Sequence, residues 1–346
     1  MDGVVGMVLA AGMGTRLRPL TDVLPKPAVP VAGLPLVQLA FGRLRAAGVK
    51  RVVVNTHHLA AEMSRVAAEA ALAAGVTLAV SPEPVIAGTG GALREARALL
   101  AGAEFVVLWN GDIVFDVDLV PILEAHRDSG ALATMVLAPM PPGASYASVD
   151  VDPTMAVRRI AGFGPGGEAL VPLHFTGVHV LSPGLLDHVP AHPFGCDVNR
   201  SVHVPLLASG HVRAVMATGY WNDLGTPERY LAANLDLLAG RADAASPGAD
   251  PFAGHATPAP RVFVAEGASV DPAARLAGPV LVGAGAVVEA GASVGPGAVI
   301  GAACRVGRGA VVERAVVWTG TAIAPGERLS MAVAAGHLRV PAGTPG

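Results

Sequence analysis

Over the last quarter of this 346-residue chain an aliphatic or aromatic residue returns every six positions: Val264, Val270, Leu276, Val282, Val288, Val294, Ile300, Val306, Val312 and Trp318. Neither an α-helix nor an ordinary strand carries a period of six. The residue four places after each anchor is mostly small, and Gly, Asp or Glu often follows the anchor directly. Small residues suit tight corners, and about eighteen residues then close one triangular coil of a parallel β-helix, with each inward side chain stacked on its equivalent one coil away. Residues 262–328 hold material for about three such coils. A terminal coil must be covered, either by the tail at 329–346 folding back or by another subunit. Because Met331–Gly336 is short and weakly periodic, we expect subunit contact, and hence a homo-oligomer through residues 262–328.

Ahead of the repeat, Ala239–Pro260 turns to Ala, Pro, Gly and Asp with no apolar period, which marks a linker over 239–261. Residues 1–238 form the other domain. Strands are expected at Val4–Leu9, Val52–Asn55, Thr77–Val80 and Phe105–Leu108, with helices near 36–47, 59–74 and 91–100 between them. That alternation is an α/β fold with a doubly wound, mostly parallel sheet. Strands near 131–138 and 174–181 and helices near 199–209 and 227–238 continue it. In such sheets ligands bind beyond the carboxyl ends of the strands, so the loops at Ala10, Thr56, Ser81 and Asn110 should share one rim.

Apolar residues make up 52% of the chain, mostly Ala and Val, yet no uncharged apolar run reaches the ~18 residues of a membrane span. The apolar start is broken by Asp2, Arg16 and Arg18, so it reads as a buried first strand rather than a signal peptide. Charged residues are 15% and net charge is −3 without a block of like charge, which excludes a nucleic-acid partner held on a basic face. Cys196 and Cys304, far apart, form neither a disulfide framework nor a metal cluster, and a reducing, cytoplasmic setting follows. Only two of the 24 Lys and Arg residues are lysine, Lys26 and Lys50. A lysine retained in such a chain has a specific task.

Lys26 lies in the loop after the first strand, which runs from Leu9-Ala-Ala-Gly-Met-Gly-Thr-Arg16 to Leu24-Pro-Lys-Pro27. Gly12 and Gly14 let the backbone approach an anion and aim N–H groups at phosphate oxygens. Arg16 and Lys26 add cations. Leu17 stands where a dinucleotide fingerprint needs Gly, and a Walker A Gly-Lys-Ser/Thr is missing. Asp112, closing Trp109-Asn-Gly-Asp112 at a strand end, is a carboxylate placed to bridge a hard cation to phosphates, and a further carboxylate, Asp223, lies in Trp221-Asn-Asp-Leu-Gly-Thr-Pro227. His57 and His58 end a strand at the rim but point to opposite faces without a third ligand, so no zinc site is expected.

The loop residues and the two carboxylates together resemble the signature of the sugar-1-phosphate nucleotidyltransferases, or NDP-sugar pyrophosphorylases: Gly-x-Gly-x-Arg, then Pro-Lys-Pro, then Trp-x-Asp-x-Gly-Thr-Pro. The repeat likewise resembles the short left-handed β-helix of hexapeptide-repeat proteins. The family resemblance implies that Leu9, Ala10, Ala11, Gly12, Gly14 and Thr15 hold the nucleotide, that Arg16 stabilises the departing pyrophosphate and that Lys26 contacts the reacting phosphates. Asp112 and Asp223 are implied Mg²⁺ ligands, Asp112 also serving catalysis. Glu83, Gly88, Thr89 and Gly90, within Ser81-Pro-Glu-Pro-Val-Ile-Ala-Gly-Thr-Gly-Gly91, would line the base pocket. That form is closer to guanylyltransferases for mannose or heptose phosphates than to thymidylyl enzymes.

On the sugar side, Thr176, Gly177 and Asn222 are implied. The family's usual sugar-phosphate Lys is absent after Val157, so Arg158 or Arg159 is expected to replace it. Tyr146-Ala147 and Phe175-Thr-Gly-Val-His179 also depart from the family pattern. The implied substrates are a nucleoside triphosphate and a sugar 1-phosphate, with GTP and mannose 1-phosphate first and the heptose, glucose or N-acetylmuramate phosphates with UTP, dTTP or ATP as alternatives. An acyltransferase function for the β-helix is disfavoured, since residues 262–328 contain no His to act as base. A non-catalytic regulatory subunit is disfavoured by the presence of Arg16, Lys26, Asp112 and Asp223. His174, His179 and His203 read as core or pocket-wall residues.

Overall fold

The computed structural model describes residues 3–143, 145–191, 195–243 and 245–343. By close packing of the backbone the chain forms two compact units, each assembled from three stretches: Met1–Met13, Ala40–Gly111 and Val117–Trp221 in the first, and Gly14–Leu39, Asp112–Asp116 and Asn222–Gly346 in the second.

The first unit is built on one mixed sheet. Its parallel half comes from β-branched apolar runs separated by amphipathic helices: β1 (Val4–Leu9), α1 (Leu36–Ala46), β2 (Arg51–Thr56), α2 (Ala60–Ala74), β3 (Thr77–Pro82), α3 (Gly88–Glu95) and β4 (Phe105–Asn110). Leu9 pairs in register with Asn55 and with Asn110, and Asn55 with Ser81, so the four strand ends share one rim as expected. Outside this alternation lie β5 (Ile113–Phe115) and α4 (Val120–Ser129). The other half of the sheet comprises β6 (Ala133–Ala138), β7 (Ser148–Val151), β8 (Val157–Ile160), β9 (Val171–Leu181) and β10 (Val212–Met216). The strand order is β8-β7-β9-β4-β1-β2-β3, with β6 bridging β9 and β10. Here β9 runs antiparallel to β4, β6 and β7. The helix expected at 91–100 starts earlier, at Gly88, and breaks at Ala96 before the short Arg97–Leu100 turn. Near 199–209 the helix is only Asn199–His203, in a wide π turn, and Val204–Leu206.

The second unit holds the loop from Gly14, β5 paired with β11 (Trp221–Asp223), the closing helix α5 (Pro227–Leu238) and the repeat. The repeat is a parallel β-helix: Val262 pairs with Val280, Val280 with Ala298 and Ala298 with Ala315, while Val270, Val288, Val306 and Ile323 align on a second face. Inward Val, Ile, Ala and Leu form its continuous core. Two expectations are corrected here. Nine of the ten sequence anchors keep register, but Ile300 pairs with Val317 rather than Trp318, because the corner after Val312 is one residue shorter than the corner after Val294. The tail is not too weakly patterned to cover the last coil. Arg328–Ala335 pairs parallel with Val311–Val317 and returns antiparallel as Leu338–Pro341, since Leu329, Ala332 and Ala334 suffice for the narrow inward positions. The coil therefore runs past 328, and Thr344–Gly346 lie outside the described residues. Among the described residues no helix is long and apolar enough to cross a membrane.

Candidate active site

In the second unit five charged groups gather around a short loop. Gly14 has φ +60°, and a Cβ there would lie 2.8 Å from Thr21 Cγ2, so the turn that Thr21 closes by donating to the Gly14 carbonyl needs glycine. The chain then forms the one-turn helix Lys26–Ala28. Lys26 is only 7% exposed, and its ammonium donates to Asp112 Oδ2 at 2.8 Å. An ammonium buried to that extent requires a carboxylate partner. Asp112 directly precedes β5, and its carbonyl accepts from Leu224 N at 2.9 Å, which ties it to the residue after Asp223.

Asp223, 9% exposed, is paired with Arg229 on α5. Thr226 caps that helix by accepting from Arg229 N, so the local fold that starts α5 also aims the Arg229 guanidinium. Arg16 comes to the same place. A Cβ on Gly225 would lie 3.1 Å from Asp223 Oδ2 and 3.3 Å from Arg16 Nη1. The absent side chain thus lets the guanidinium and the carboxylate come close to the backbone. Chemically this cluster of Arg16, Lys26, Asp112, Asp223 and Arg229 is a preorganised field for a polyanion.

In the first unit the strand ends are tied together by one amide. Asn55 Oδ1 accepts from Ala10 N at 2.7 Å, and its Nδ2 donates to Glu83 Oε1 at 2.7 Å. The other oxygen of Glu83 accepts from Ala87 N at 2.9 Å, and the residue is 4% exposed. His57 Nδ1 donates to the Glu83 carbonyl at 2.8 Å. Gly12, by contrast, has open space where a Cβ would be. At the start of α3 the segment Gly195–Val198 packs against the glycines: Gly90 N donates to the Cys196 carbonyl at 2.9 Å, and a Cβ on Gly88 would lie 2.6 Å from that oxygen. Thr89 donates to Asp197 Oδ2 at 3.2 Å and accepts from Val198 N at 2.8 Å.

That segment leads to a cavity of about 360 Å³ whose walls include Tyr146, Ala147, Phe163, His174, Asn199 and Arg200. The Arg200 guanidinium lies 4.1 Å from the centre of the Phe163 ring. Trp221 stands edge-on to Tyr146 and His174, which are tilted against each other, and the Trp221 indole donates to the Thr176 carbonyl at 2.6 Å. Beyond this wall His203 Nε2 and His179 Nδ1 are 3.1 Å apart in the core. Burial holds His203 at a pKa of about 3 and pushes His179 well below the usual imidazole range.

In the second unit a buried lysine on a carboxylate beside a second carboxylate with two arginines suits phosphoryl chemistry, and the family model described as nucleotidyl transferase matches residues 5–240. The chain is a member of the nucleotidyl transferase family. It is 31% identical over 291 residues to the mannose-1-phosphate guanylyltransferase of Mycobacterium tuberculosis, covering 83% of this chain and 77% of that protein. It is 33% identical over 227 residues to the N-acetylmuramate alpha-1-phosphate uridylyltransferase of Neisseria meningitidis, covering 64% and 92%. It is 28% identical over 232 residues to the Drosophila melanogaster mannose-1-phosphate guanylyltransferase catalytic subunit beta, covering 66% and 62%. This nucleotidyl transferase is an enzyme of sugar-1-phosphate nucleotidyl transfer.

Several sequence-derived site residues of the nucleotidyl transferase meet in the second unit: Gly14, Thr15, Arg16, Lys26, Asp112, Asn222 and Asp223. Asn222 donates to the Arg229 carbonyl at 3.4 Å. In the first unit lie Leu9, Ala10, Ala11, Gly12, Glu83, Gly88, Thr89, Gly90, Thr176 and Gly177. Gly177 has φ +92°, and a Cβ there would meet Asn110 Nδ2 at 2.9 Å. Arg158 and Arg159 sit on β8. Arg158 Nε donates to the Gly166 carbonyl at 3.2 Å, Arg159 lies 4.0 Å from Asp150, and neither is among the residues that line the cavity. Arg200 is the lining arginine. Sequence reading missed Arg200, Asn55, Asp197, Gly225 and Arg229. A polar Asn closing the apolar strand at the rim was the one signal available for Asn55.

Proposed function

We propose that this enzyme joins GTP and mannose 1-phosphate to give GDP-mannose and pyrophosphate. The observation that carries the reaction is the Lys26–Asp112 pair beside the convergence of Arg16 and Asp223 on Gly225. A non-bridging oxygen of the sugar phosphate attacks the α-phosphorus, the new P–O bond forms in line, and the bond between that phosphorus and the α,β-bridging oxygen breaks. The electron pair leaves with pyrophosphate. Lys26 and Arg16 offset the charge on the transferring and departing groups, and binding both anions at fixed positions supplies proximity.

Asp112 and Asp223 suit Mg²⁺, which takes one or two carboxylates together with substrate phosphates. Among the described residues no cluster of three or more His, Cys, Asp and Glu side chains offers an all-protein cage. Held there, Mg²⁺ would neutralise phosphate charge and polarise the α-phosphorus. Ala10, Ala11 and Gly12 take the nucleotide backbone-first, while Glu83 acts on the nucleotide through the loop that it ties to Asn55. Arg200 grips the sugar phosphate, with Arg158 and Arg159 as the competing cations.

GTP and mannose 1-phosphate are favoured by the guanylyltransferase relatives. A second reading, UTP with N-acetylmuramate 1-phosphate, has its own support in the uridylyltransferase relative and in the apolar stretch Val149, Ile160, Ala161, Phe163 and Phe175 of the cavity wall, which suits an acyl substituent. A matrix of nucleoside triphosphates against sugar 1-phosphates, read as pyrophosphate release, tests both. Turnover highest with GTP and mannose 1-phosphate upholds the first reading, and turnover confined to UTP with the acylated sugar replaces it. We further propose a homo-oligomer in the cytoplasm, where both cysteines are free thiols. The last coil is covered by its own hairpin, so the first coil, with Val264, Val270 and Leu276 around an open hollow, is where a second copy would sit. A monomer by light scattering at micromolar concentration would refute this.

A further inference from the structure

The slip in the hexad register has a destination. From Val294 to Ala298 the coil turns its corner in four steps, whereas from Val312 to Ala315 it does so in three, with Arg314 at φ +44°. Val317 therefore takes the inward place that an unbroken period would give to Trp318. A one-residue shift sends a strand side chain to the other face. Trp318 accordingly leaves the β-helix core, yet it is 5% exposed. Its indole Nε1 donates at 2.9 Å to the hydroxyl of Tyr230 on α5, and that hydroxyl donates in turn to the Pro30 carbonyl. One turn further along α5, Asn234 Oδ1 accepts from Ala32 N at 2.8 Å. Pro30 and Ala32 belong to the hairpin that directly follows the Lys26–Ala28 turn, whose end is closed by Val29 N donating to the Lys26 carbonyl.

We propose that Trp318 is a positioning residue for the phosphate loop: through the Tyr230 hydroxyl it fixes the Pro30 carbonyl, and so the turn that presents Lys26. A buried phenol can both donate and accept, and here it accepts from the Trp318 indole, with the Asn234 side chain as a second partner, and donates to Pro30 along a line from the β-helix to the loop. Without the indole N–H the hydroxyl loses the donor that comes from the β-helix and keeps only the Asn234 side chain, so its hold on Pro30 loosens. Tyr230 also stands next to Arg229, the partner of Asp223, so the same turn of α5 serves the carboxylate side of the cluster. The β-helix is thus a working part of the phosphate site and not only an assembly module. Stacking alone would be served by another aliphatic residue. The inference rests on the proposed phosphate-handling role of Lys26.

The test uses the full chain labelled with 5-fluorotryptophan, which has three tryptophans and hence three ¹⁹F lines. The Trp318 line is assigned by its loss in Trp318→Phe, or by elimination with Trp109→Phe and Trp221→Phe should that variant not fold. Titration with magnesium pyrophosphate should move the Trp318 line. In kinetics, Trp318→Phe should raise KM for the nucleoside triphosphate roughly three- to ten-fold, the scale of one buried hydrogen bond, with KM for the sugar phosphate unchanged. Tyr230→Phe should act likewise, and the double variant should be no worse than Tyr230→Phe alone. A stationary Trp318 line at saturating pyrophosphate, or a double variant with multiplied effects, in an enzyme that turns over normally overturns the inference while leaving the reaction assignment standing. Absence of turnover with every substrate pair defeats that assignment, and the inference with it.

Discussion

Lys26→Met separates catalysis from folding with a size that the structure dictates. The ammonium lies 2.8 Å from Asp112 Oδ2, its side chain is 9% exposed and that of Asp112 is 36% exposed. Because the carboxylate is open to water and can be rehydrated, the pair contributes about 1 kcal/mol or less to stability. For a protein of this size that is a fall in Tm of about 2–4 °C. In the transition state the same ammonium faces charge on the transferring phosphates, and removal of one preorganised donor costs about 10²- to 10³-fold in kcat. Lys26→Arg should also be impaired at least about tenfold, since a bulkier planar guanidinium cannot take the place of a buried ammonium point charge. The assay is steady-state pyrophosphate release alongside thermal unfolding. Activity of Lys26→Met within threefold of wild type, or a loss wholly matched by unfolding, would remove Lys26 from the phosphate chemistry.

The carboxylates make a parallel case: Asp112→Asn and Asp223→Asn should each nearly abolish turnover with the fold intact by circular dichroism, and should weaken the response to added Mg²⁺; a loss below threefold removes either from the proposed metal site. Arg200→Ala should raise KM for the sugar phosphate at least about tenfold with little change for the nucleotide, as expected for a charge-assisted phosphate contact, whereas a larger effect in Arg158→Ala or Arg159→Ala would transfer that role to β8. His126, His179 and His203 are buried and kept neutral, with burial holding His126 at about 4 and His203 at about 3. The unfolded chain takes up protons on these residues below about pH 6.5 while the folded one does not, so stability is flat above pH 7 and falls as pH drops from 6.5 toward 4, by up to about 1.4 kcal/mol per pH unit for each histidine. Equal urea midpoints at pH 7.5 and pH 5 would contradict this.

Periodicity reached far into the fold because each half repeats a simple physical unit. Val4–Leu9, Thr77–Pro82 and Pro227–Leu238 begin where their patterns and caps place them. The antiparallel half of the sheet was less legible, since Ser148–Val151 and Val157–Ile160 are four residues each and too short to show a period. The one-residue slip after Val312 could not be read from spacing either, because Val317 and Trp318 both satisfy an apolar anchor and only stacking on Ile300 decides between them. In the site, the charged residues of the loop stood out against a chain poor in lysine. Asn55, Asp197 and Arg200 did not, because their importance lies in partners distant in sequence: Ala10 and Glu83 for Asn55, Thr89 for Asp197, and Phe163 for Arg200. The packing of residues 14–39 with the β-helix rather than with the first strand likewise depends on the buried Tyr230 and Asn234 contacts.

In the proposed reaction a sugar-phosphate oxygen attacks the α-phosphorus of the bound triphosphate directly, so no pyrophosphate forms until sugar phosphate is present. The most direct measurement follows mannose 1-phosphate carrying ¹⁸O in its non-bridging phosphate oxygens, with unlabelled GTP and Mg²⁺, by ³¹P NMR of the products. Direct attack predicts that all the label stays with the NDP-sugar, one ¹⁸O occupying the new bridge between its two phosphorus atoms, that the released pyrophosphate carries none, and that none is released before sugar phosphate is added. Label in the pyrophosphate, or a stoichiometric burst of pyrophosphate before any sugar phosphate is added, would contradict it.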